Sequence, residues 1–279
     1  YLLMLAGLAF MAWVAAGGVG ALGWGGMEPV EIRTAGTPPP FAIALRLGLA
    51  EAVGLLLVSV AGLLAALYLR DTMLKQGRRA MAVLIIFTMA LCGVILTRDL
   101  FNLFVFFELA VIATGGLILL SVDRRALEAG FKYLVAAQLV SILLLVGIIF
   151  AYHATGTLNI DGMAGGLAAT SAAFFLMFMA VVIELKPFPA NGWALDIYES
   201  AHPAFSALFS AAAGTASLFA VDKLLLVGSA EWLPVATAIG LLGFVGANLF
   251  ALAQENDRRT LGYSSVAQTG LILAVVGQR

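Results

Sequence analysis

The chain has 279 residues, of which 62% are hydrophobic and 11% are charged, and its mean hydropathy is +1.05. Because a soluble domain carries roughly 25% charged residues, this composition excludes a water-soluble globule and indicates a membrane protein. The net charge of −1 offers no basic face for nucleic acid, and the single cysteine excludes an intrachain disulfide.

Apolar stretches close to the bilayer-spanning length of about 20 residues recur along the whole chain. They predict about nine crossings, at residues 1–24, 47–69, 80–97, 100–121, 131–152, 166–186, 203–221, 232–254 and 262–277. The first stretch lacks the basic start and the cleavage site of a signal peptide, so we interpret it as a spanning helix. The sequence therefore predicts an all-α, polytopic membrane protein that lies in the lipid bilayer and has no sizeable soluble domain.

Lysine and arginine are distributed unevenly between the predicted loops. The loops at 70–79, 122–132 and 255–261, which fall on one side, are rich in these residues, whereas the segment 153–170 on the other side contains none. Basic residues accumulate on the cytoplasmic side of membrane proteins. We therefore expect a multi-pass protein of the cell inner (cytoplasmic) membrane with a cytoplasmic N-terminus.

The sixth apolar stretch ends in a lysine that stands immediately before a proline. Neither Pro187 nor Pro189 can donate a backbone hydrogen bond to the preceding turn, so the helix is predicted to break at Lys186. A short half-helix at about 191–200 is expected to follow. A charge near the bilayer centre costs about 2.5 to 3.5 kcal/mol, so it indicates a functional site. A cation pinned to carbonyls freed by the prolines is the structural alternative.

Glu108 is the only formal charge in the predicted fourth helix, about half-way along it. It shares a helical face with Phe101 and Phe104, so the carboxylate is expected to project from an aromatic stripe toward other helices. Asp99 is expected to cap the start of this helix. Because a small movement between a carboxylate and a buried lysine can make the lysine bind or release a proton, Glu108 and Lys186 are candidates for proton translocation. A carboxyl group hydrogen-bonded between helices is the structural alternative for Glu108.

Two further ionisable residues are candidates for the same path. Glu184 precedes Lys186 by two residues, which places the two side chains on different faces of a helix. It is either a second group of the proton path or the partner of another helix. Lys132 begins the fifth predicted helix, where it either extends to the membrane interface or takes part in the path.

Acidic residues and a histidine follow the predicted break on the cytoplasmic side. Asp196, Glu199 and His202 are together candidates for a proton entrance, although helix-end capping and an ordinary loop histidine are the alternatives. His153 is the other histidine of the chain, and its distance from His202 in sequence gives no metal-ligand spacing. No metal site is therefore predicted.

Several segments together resemble one superfamily of membrane subunits. The segment Asp99–Leu109, DLFNLFVFFEL, is similar to a motif of the antiporter-like subunits of respiratory complex I, of Mrp-type Na+/H+ antiporters and of membrane-bound hydrogenases. The other matching stretches follow in the family's order: Phe131–Leu134, Gly156–Leu158, Trp193–Asp196, Ser206–Leu208 and Arg259–Val266. They cover most of the chain from about residue 45 onward.

The resemblance implies a fold of two inverted five-helix repeats, each with a broken helix near mid-membrane. N-terminal transmembrane helices would occupy 1–78, the first repeat 79–223, and the incomplete start of a second repeat 224–279. Because family subunits have around fourteen helices, this chain is expected to be truncated relative to a complete subunit.

The resemblance also implies that Glu108 and Lys186 are paired proton-channel residues, and Lys132 matches a lysine of the following helix. We expect a proton-translocating, antiporter-like subunit of a redox-driven complex of the complex I (NADH-quinone oxidoreductase) or membrane-bound hydrogenase type, with other membrane subunits as partners. A Mrp-type Na+/H+ antiporter subunit and a non-pumping structural subunit are the alternatives. No cofactor is expected, because the chain lacks the cysteines and nucleotide motifs that bind redox groups.

Local departures from the family's pattern concentrate around and after the break. Thr215 stands where related subunits often carry a lysine in the next helix, so the relay toward the central proton path is expected to differ here. The residues after the lysine read Phe188-Pro-Ala-Asn191 instead of Phe-Pro-Leu-His, and Glu184 is an addition.

Overall fold

A computed structural model describes the chain except for residues 35, 38, 40, 41, 122, 169 and 279. The described residues form α-helices joined by short turns, with two short strands near the N-terminus. The helices are α1 (Leu2–Gly23), α2 (Leu49–Tyr68), α3 (Arg70–Gln76), α4 (Arg78–Leu96), α5 (Leu100–Ile118), α6 (Arg124–Thr155), α7 (Ala172–Glu184), α8 (Gly192–Ser200), α9 (Pro203–Leu208), α10 (Gly214–Val227), α11 (Trp232–Ala251) and α12 (Asp257–Val276).

Smaller elements complete the chain. A π-helical segment, Phe209–Ala213, joins α9 to α10 without interrupting the helical rod. Short 3-10 turns follow α5 and α6, at Leu119–Ser121 and Asp161–Met163. The strands β1 (Val30–Arg33) and β2 (Ala44–Leu47) pair antiparallel, which the hydropathy pattern did not predict.

Each of the nine predicted apolar stretches coincides with a helix or with a pair of helices. Seven spans in the described chain are long and apolar enough to cross a membrane: α1, α2, α4, α5 with its 3-10 turn, α6, the rod from α9 to α10, and α11. The broken pair α7 and α8 supplies a shorter apolar helix, and α12 has crossing length with more polar residues. The prediction of an all-α, polytopic membrane protein is confirmed.

The loops at one end of the bundle are joined by backbone hydrogen bonds. The Arg98 amide donates to the Ala44 carbonyl at 2.9 Å, and the Ile160 amide donates to the Arg98 carbonyl at 2.9 Å. The predicted cap of α5 is confirmed, because the Asp99 side chain accepts from the Asn102 amide at 2.8 Å. The start of the helix that carries Glu108 is therefore held on several sides.

The predicted helix break is present between α7 and α8. The Lys186 backbone has φ 59°, a left-handed conformation that a side chain other than glycine adopts at a cost of about 1 to 3 kcal/mol. After the break, α8 packs against α6 and α12. Gly262 on α12 permits this approach, because an added Cβ would lie 2.9 Å from Leu195 and 3.0 Å from Tyr198. The close packing brings the Tyr198 side chain to α12.

Candidate functional site

Lys186 is buried in the bundle, with 1% of its surface exposed. Its Nζ donates to the Tyr198 hydroxyl at 3.1 Å and to the Ser265 Oγ at 3.3 Å. It also lies 5.0 Å from the centroid of the Phe209 ring and 5.5 Å from that of Tyr198. Within the described residues, no carboxylate oxygen comes within 4.0 Å of this ammonium. The group is therefore solvated by hydroxyls and aromatic faces.

Ser265 is the centre of a hydroxyl cluster around the lysine. Its Oγ lies 2.8 Å from the Tyr198 hydroxyl and 2.7 Å from the Ser210 Oγ, in addition to accepting from Lys186. A serine hydroxyl has two acceptor positions and one proton. Since all three neighbours cannot donate to it at once, Ser265 donates in one of these contacts, and the cluster can reverse its direction.

The alternative of a cation pinned to freed carbonyls does not describe Lys186. The carbonyl of Leu185 at the break lies 3.5 Å from the Thr269 hydroxyl, and the Lys186 amide closes the last turn by donating to Ile183 at 3.0 Å. The hydrogen bonds of Nζ go to side-chain hydroxyls instead. Its contacts therefore leave no backbone group dependent on the charge.

Glu184 approaches the lysine from the other side of an aromatic cluster. Its Oε1 accepts from the Tyr133 hydroxyl at 3.4 Å, and its charge lies close enough to interact with that of Lys186. The Tyr133 ring packs against Trp193 and Phe209, at centroid distances of 5.4 and 6.4 Å. Glu184 is thus the carboxylate that the fold brings into electrostatic contact with the lysine.

Glu108 lies half-buried on α5 and is not paired with Lys186. One of its carboxylate oxygens is buried and has no hydrogen-bond partner within the described chain. On the same side of α5, Phe101 is 48% exposed and Ile112 is 64% exposed, so the expected aromatic stripe faces partly outward. The nearest link to the site is electrostatic, through the hydroxyl of Tyr133.

The residues predicted as a proton entrance form a group of ion pairs. Lys132, which is 63% exposed, contacts Asp196 at 3.0 Å. Arg259 contacts Glu199 at 2.7 Å and Asp196 at 3.5 Å. The structure therefore brings Lys132, Asp196 and Glu199 together with an arginine that the sequence pattern did not mark as a candidate.

His202 lies beside this group and caps α9. Its Nδ1 accepts from the Ala204 amide at 3.3 Å, and its ring meets that of Tyr68 edge-on at 5.8 Å. Burial lowers the pKa of His202, and the positive charge of Arg258 lowers it further. Arg258 itself donates to the Glu199 carbonyl at 2.6 Å, which connects the histidine to the acidic group.

Two buried charges at the opposite end were missed as candidates. Lys223 is 1% exposed, and its Nζ donates to the carbonyls of Val94 and Ile95 at 2.5 and 2.7 Å. These carbonyls belong to the last turn of α4, which has no further amides to bond them. Buried Arg98 forms a two-point ion pair with Asp161, with Nε at 2.9 Å from Oδ2. The signal for Lys223 was its place inside an apolar helix that continues to Val227.

The hydroxyl partners of Lys186 were also missed. Tyr198, Ser210 and Ser265 are uncharged, so a search for isolated charges in apolar stretches does not find them. Adjacent serines within the otherwise apolar α12 were the available signal. Among the described residues, no group of three or more His, Cys, Asp or Glu side chains is arranged to hold a metal ion.

More than half of the chain matches a known family of membrane proteins. Residues 97–278 match the family described as NADH:quinone oxidoreductase/Mrp antiporter, transmembrane. The chain belongs to this family. The matched region of the family contains α5 with Glu108, the broken helix with Lys186 and the hydroxyl cluster on α12.

Relatives from both branches of the family resemble the chain. It is 33% identical over 255 residues to the N subunit of NADH-quinone oxidoreductase from Cereibacter sphaeroides, covering 84% of this chain and 55% of the relative. It is 29% identical over 283 residues to a probable K(+)/H(+) antiporter protein of Rhizobium meliloti, covering 95% of this chain and 51% of the relative. The chain thus spans about half the length of these relatives.

Solved structures agree in fold over nearly the whole chain. A chain of the Mrp complex from Dietzia sp. matches with a TM-score of 0.88 and 26% identity, covering 99% of this chain and 53% of that one. A chain of the membrane-bound sulfane sulfur reductase, an archaeal respiratory complex, matches with a TM-score of 0.84 and 27% identity, covering 98% and 58%. Respiratory complex I from Thermus thermophilus shares the fold, with a TM-score of 0.74 and 21% identity.

Proposed function

We propose that the chain is a proton-translocating, antiporter-like part of a redox-driven membrane complex, with Lys186 as its central proton-binding group. The observation that carries this proposal is the setting of the buried ammonium, which is held by neutral hydroxyls and has no carboxylate within 4.0 Å in the described structure. A lysine held in this way can release its proton without breaking an ion pair. Its hydroxyl neighbours can then rearrange among themselves.

Proton uptake is proposed to run along α8. Asp196 and Tyr198 lie two residues apart on this half-helix, and Tyr198 contacts Lys186 while Asp196 belongs to the ion-pair group with Lys132 and Arg259. Opening one of these ion pairs frees a carboxylate to take up a proton from the cytoplasmic side. Transfer to the lysine would then follow the short distance spanned by the half-helix.

Glu184 and Glu108 are proposed to control when the lysine keeps its proton. Glu184 interacts with the charge of Lys186, and Tyr133 hydrogen-bonds to Glu184. Glu108 acts on the same tyrosine from α5. In this proposal Glu108 influences Lys186 through Tyr133 and Glu184, and the expected pairing of Glu108 with the lysine is indirect.

The chain is a multi-pass membrane protein. We place it in the inner membrane with its N-terminus in the cytoplasm, as the distribution of basic loops favours. The division into N-terminal helices (1–78), a first repeat (79–223) and the start of a second (224–279) is kept as part of the proposal. Its partners would be the other membrane subunits of such a complex.

The proposal is tested by Lys186→Met and Glu108→Gln in the assembled complex in native membranes. Proton uptake into inside-out vesicles is measured beside the electron-transfer rate of the partner subunits. Loss of a proton-transfer group lowers rates by about 100-fold or more. We expect Lys186→Met to abolish proton uptake while assembly is preserved, and Glu108→Gln to reduce it.

A matched control is Lys75→Met, which removes an exposed lysine from α3, away from the site. It should leave uptake, assembly and electron transfer unchanged. If the Lys186 variant also assembles, transports and couples at wild-type levels, the proposed function is wrong.

A cation/proton antiporter subunit of the Mrp type is the second candidate. The antiporter relative from Rhizobium meliloti and the Mrp chain from Dietzia sp. favour it. Vesicles with an imposed pH gradient and no electron donor distinguish the two. Proton flux that requires Na+ or K+ under these conditions supports the antiporter, whereas flux that requires electron transfer supports the redox-driven complex.

A further inference from the structure

A polar cavity of about 480 Å³ lies between α12 and the rod formed by α9, the π segment and α10. Its lining includes hydroxyl and amide side chains from both sides: Ser206, Ser210, Thr215, Ser265, Gln268 and Thr269. A water molecule occupies about 30 Å³ in the liquid, so the cavity has room for a chain of water molecules. Such side chains both donate and accept hydrogen bonds, as a proton relay requires.

The cavity begins at the partners of Lys186. Ser265 and Tyr198, which accept from the lysine, both line it, and so does Ser210, at 2.7 Å from the Ser265 Oγ. The hydroxyl oxygen of Ser206 is buried and has no partner within the described chain. A buried hydroxyl of this kind is expected to bond to water, since an unsatisfied polar group is costly inside a protein.

The winding of the helix aligns the hydroxyls along the cavity. Ser206 and Ser210 are four residues apart, one α-helical turn, whereas Ser210 and Thr215 are five residues apart. In an uninterrupted α-helix the last spacing would rotate Thr215 away from the line. The π segment Phe209–Ala213 absorbs the additional residue, because π winding bonds residues five apart. All three side chains therefore reach the same cavity.

We infer that this cavity carries protons between Lys186 and the level of Thr215 through water molecules held by neutral hydroxyls, in place of a second lysine. This inference rests on the proposed function. The lysine Nζ–H bond breaks as its proton passes to a neighbouring oxygen, and that oxygen releases its own proton to the next. Each hydroxyl or water ends neutral, with its hydrogen bond reversed, and no oxidant or reductant takes part.

A relay without a second cation has a physical consequence for this chain. A lysine at the position of Thr215 would line the same cavity as the partners of Lys186, and two ammonium groups there would repel each other. With threonine present, the charge on Lys186 depends on Glu184 and on the incoming proton only. The water-filled route then decides how fast the proton leaves.

The first test removes hydroxyls and fills their space. Thr215→Val and Ser210→Val should each lower proton uptake about tenfold, with complex assembly and electron transfer retained, because neither a hydroxyl nor a replacing water remains. Ser210→Ala should lower it less, because a water molecule fits where the hydroxyl was. Thr237→Val, on α11 and outside the cavity, is the matched control and should match the wild type. Wild-type uptake in both valine variants would overturn the relay.

The second test measures hydration without measuring transport. In a Cys92→Ala background, Ser206→Cys and Thr215→Cys should react with a small water-soluble thiol reagent, and Thr237→Cys should react at least tenfold more slowly. Failure of both cavity positions to react overturns the relay even if pumping is normal. If Lys186→Met keeps full transport, the proposed function falls instead, and the labelling rates still report whether the cavity is hydrated.

Discussion

Replacing Lys186 by methionine should remove function while changing stability little. The ammonium loses two hydrogen bonds to hydroxyls, about 1.5 to 3 kcal/mol each, and contacts with two aromatic rings, about 0.5 to 2 kcal/mol. Against this, the variant no longer desolvates a buried cation, a penalty of several kcal/mol. Methionine also fills a similar volume.

The partners explain why these contributions nearly cancel. After the substitution, Ser265 keeps its contacts with Tyr198 and Ser210, so no buried hydroxyl is left unsatisfied. We expect a net change below about 2 kcal/mol, which corresponds to less than about 8 °C in the midpoint of thermal unfolding. The midpoint is measured on the purified complex in detergent, and proton uptake is measured in vesicles from the same strain.

Lys186→Arg supplies the contrasting variant. Arginine keeps the positive charge and can donate to the same hydroxyls, but its guanidinium does not release a proton in proteins. It should therefore assemble and fail to pump. The reasoning is refuted if the arginine variant pumps normally, or if the methionine variant loses more than about 4 kcal/mol and pumps in proportion to the folded protein that remains.

Three other predictions concern residues away from the proton path. Lys223→Ala should destabilise the protein by about 1 to 3 kcal/mol for each carbonyl left without a donor, and thermal unfolding beside the Lys75→Ala control would show no difference if the contact were unimportant. Hydrogen bonds from Arg98 lower the pKa of Asp161, so the pair stabilises the fold above about pH 4 and this contribution is lost as pH falls. Asp161→Asn should reduce stability at pH 7 and remove this part of the acid sensitivity; an unchanged acid profile would contradict it. Because burial lowers the pKa of His202, the unfolded chain binds a proton more readily, and stability should decline as pH falls below about 6.5. His202→Asn keeps a capping oxygen and should flatten midpoints measured from about pH 5 to 8, whereas an identical slope would rule out this histidine as the cause.

The helix break illustrates what could be predicted locally. Proline lacks an amide proton wherever it stands, so Pro187 and Pro189 predicted the end of α7 at Glu184 without knowledge of any neighbour. The cap of α5 by Asp99 is equally local. The long apolar stretches determined the membrane class for the same reason, since a bilayer-crossing helix satisfies its backbone within its own segment.

The partners of the charged residues were not predictable in this way. Lys132 meets Asp196 across 64 positions of sequence, and Lys186 meets Ser265 across 79. These contacts depend on how α6, α8 and α12 pack, which a spacing rule along one helix does not contain. A neutral serine also carries no signal of burial cost, so nothing in its own segment marks it as a lysine partner.

The sequence by itself determined that the chain crosses a membrane, where its helix breaks, and that a lysine stands at the break, because hydropathy and proline chemistry act within one segment. Only the tertiary structure decided that Glu184 approaches Lys186 more directly than Glu108, that Lys223 is buried on the carbonyls of α4, and that Thr215 shares a cavity with Ser265. Each of these depends on the distance between separate helices. That distance is set by side-chain packing, such as the approach of α8 over Gly262, and not by any local pattern.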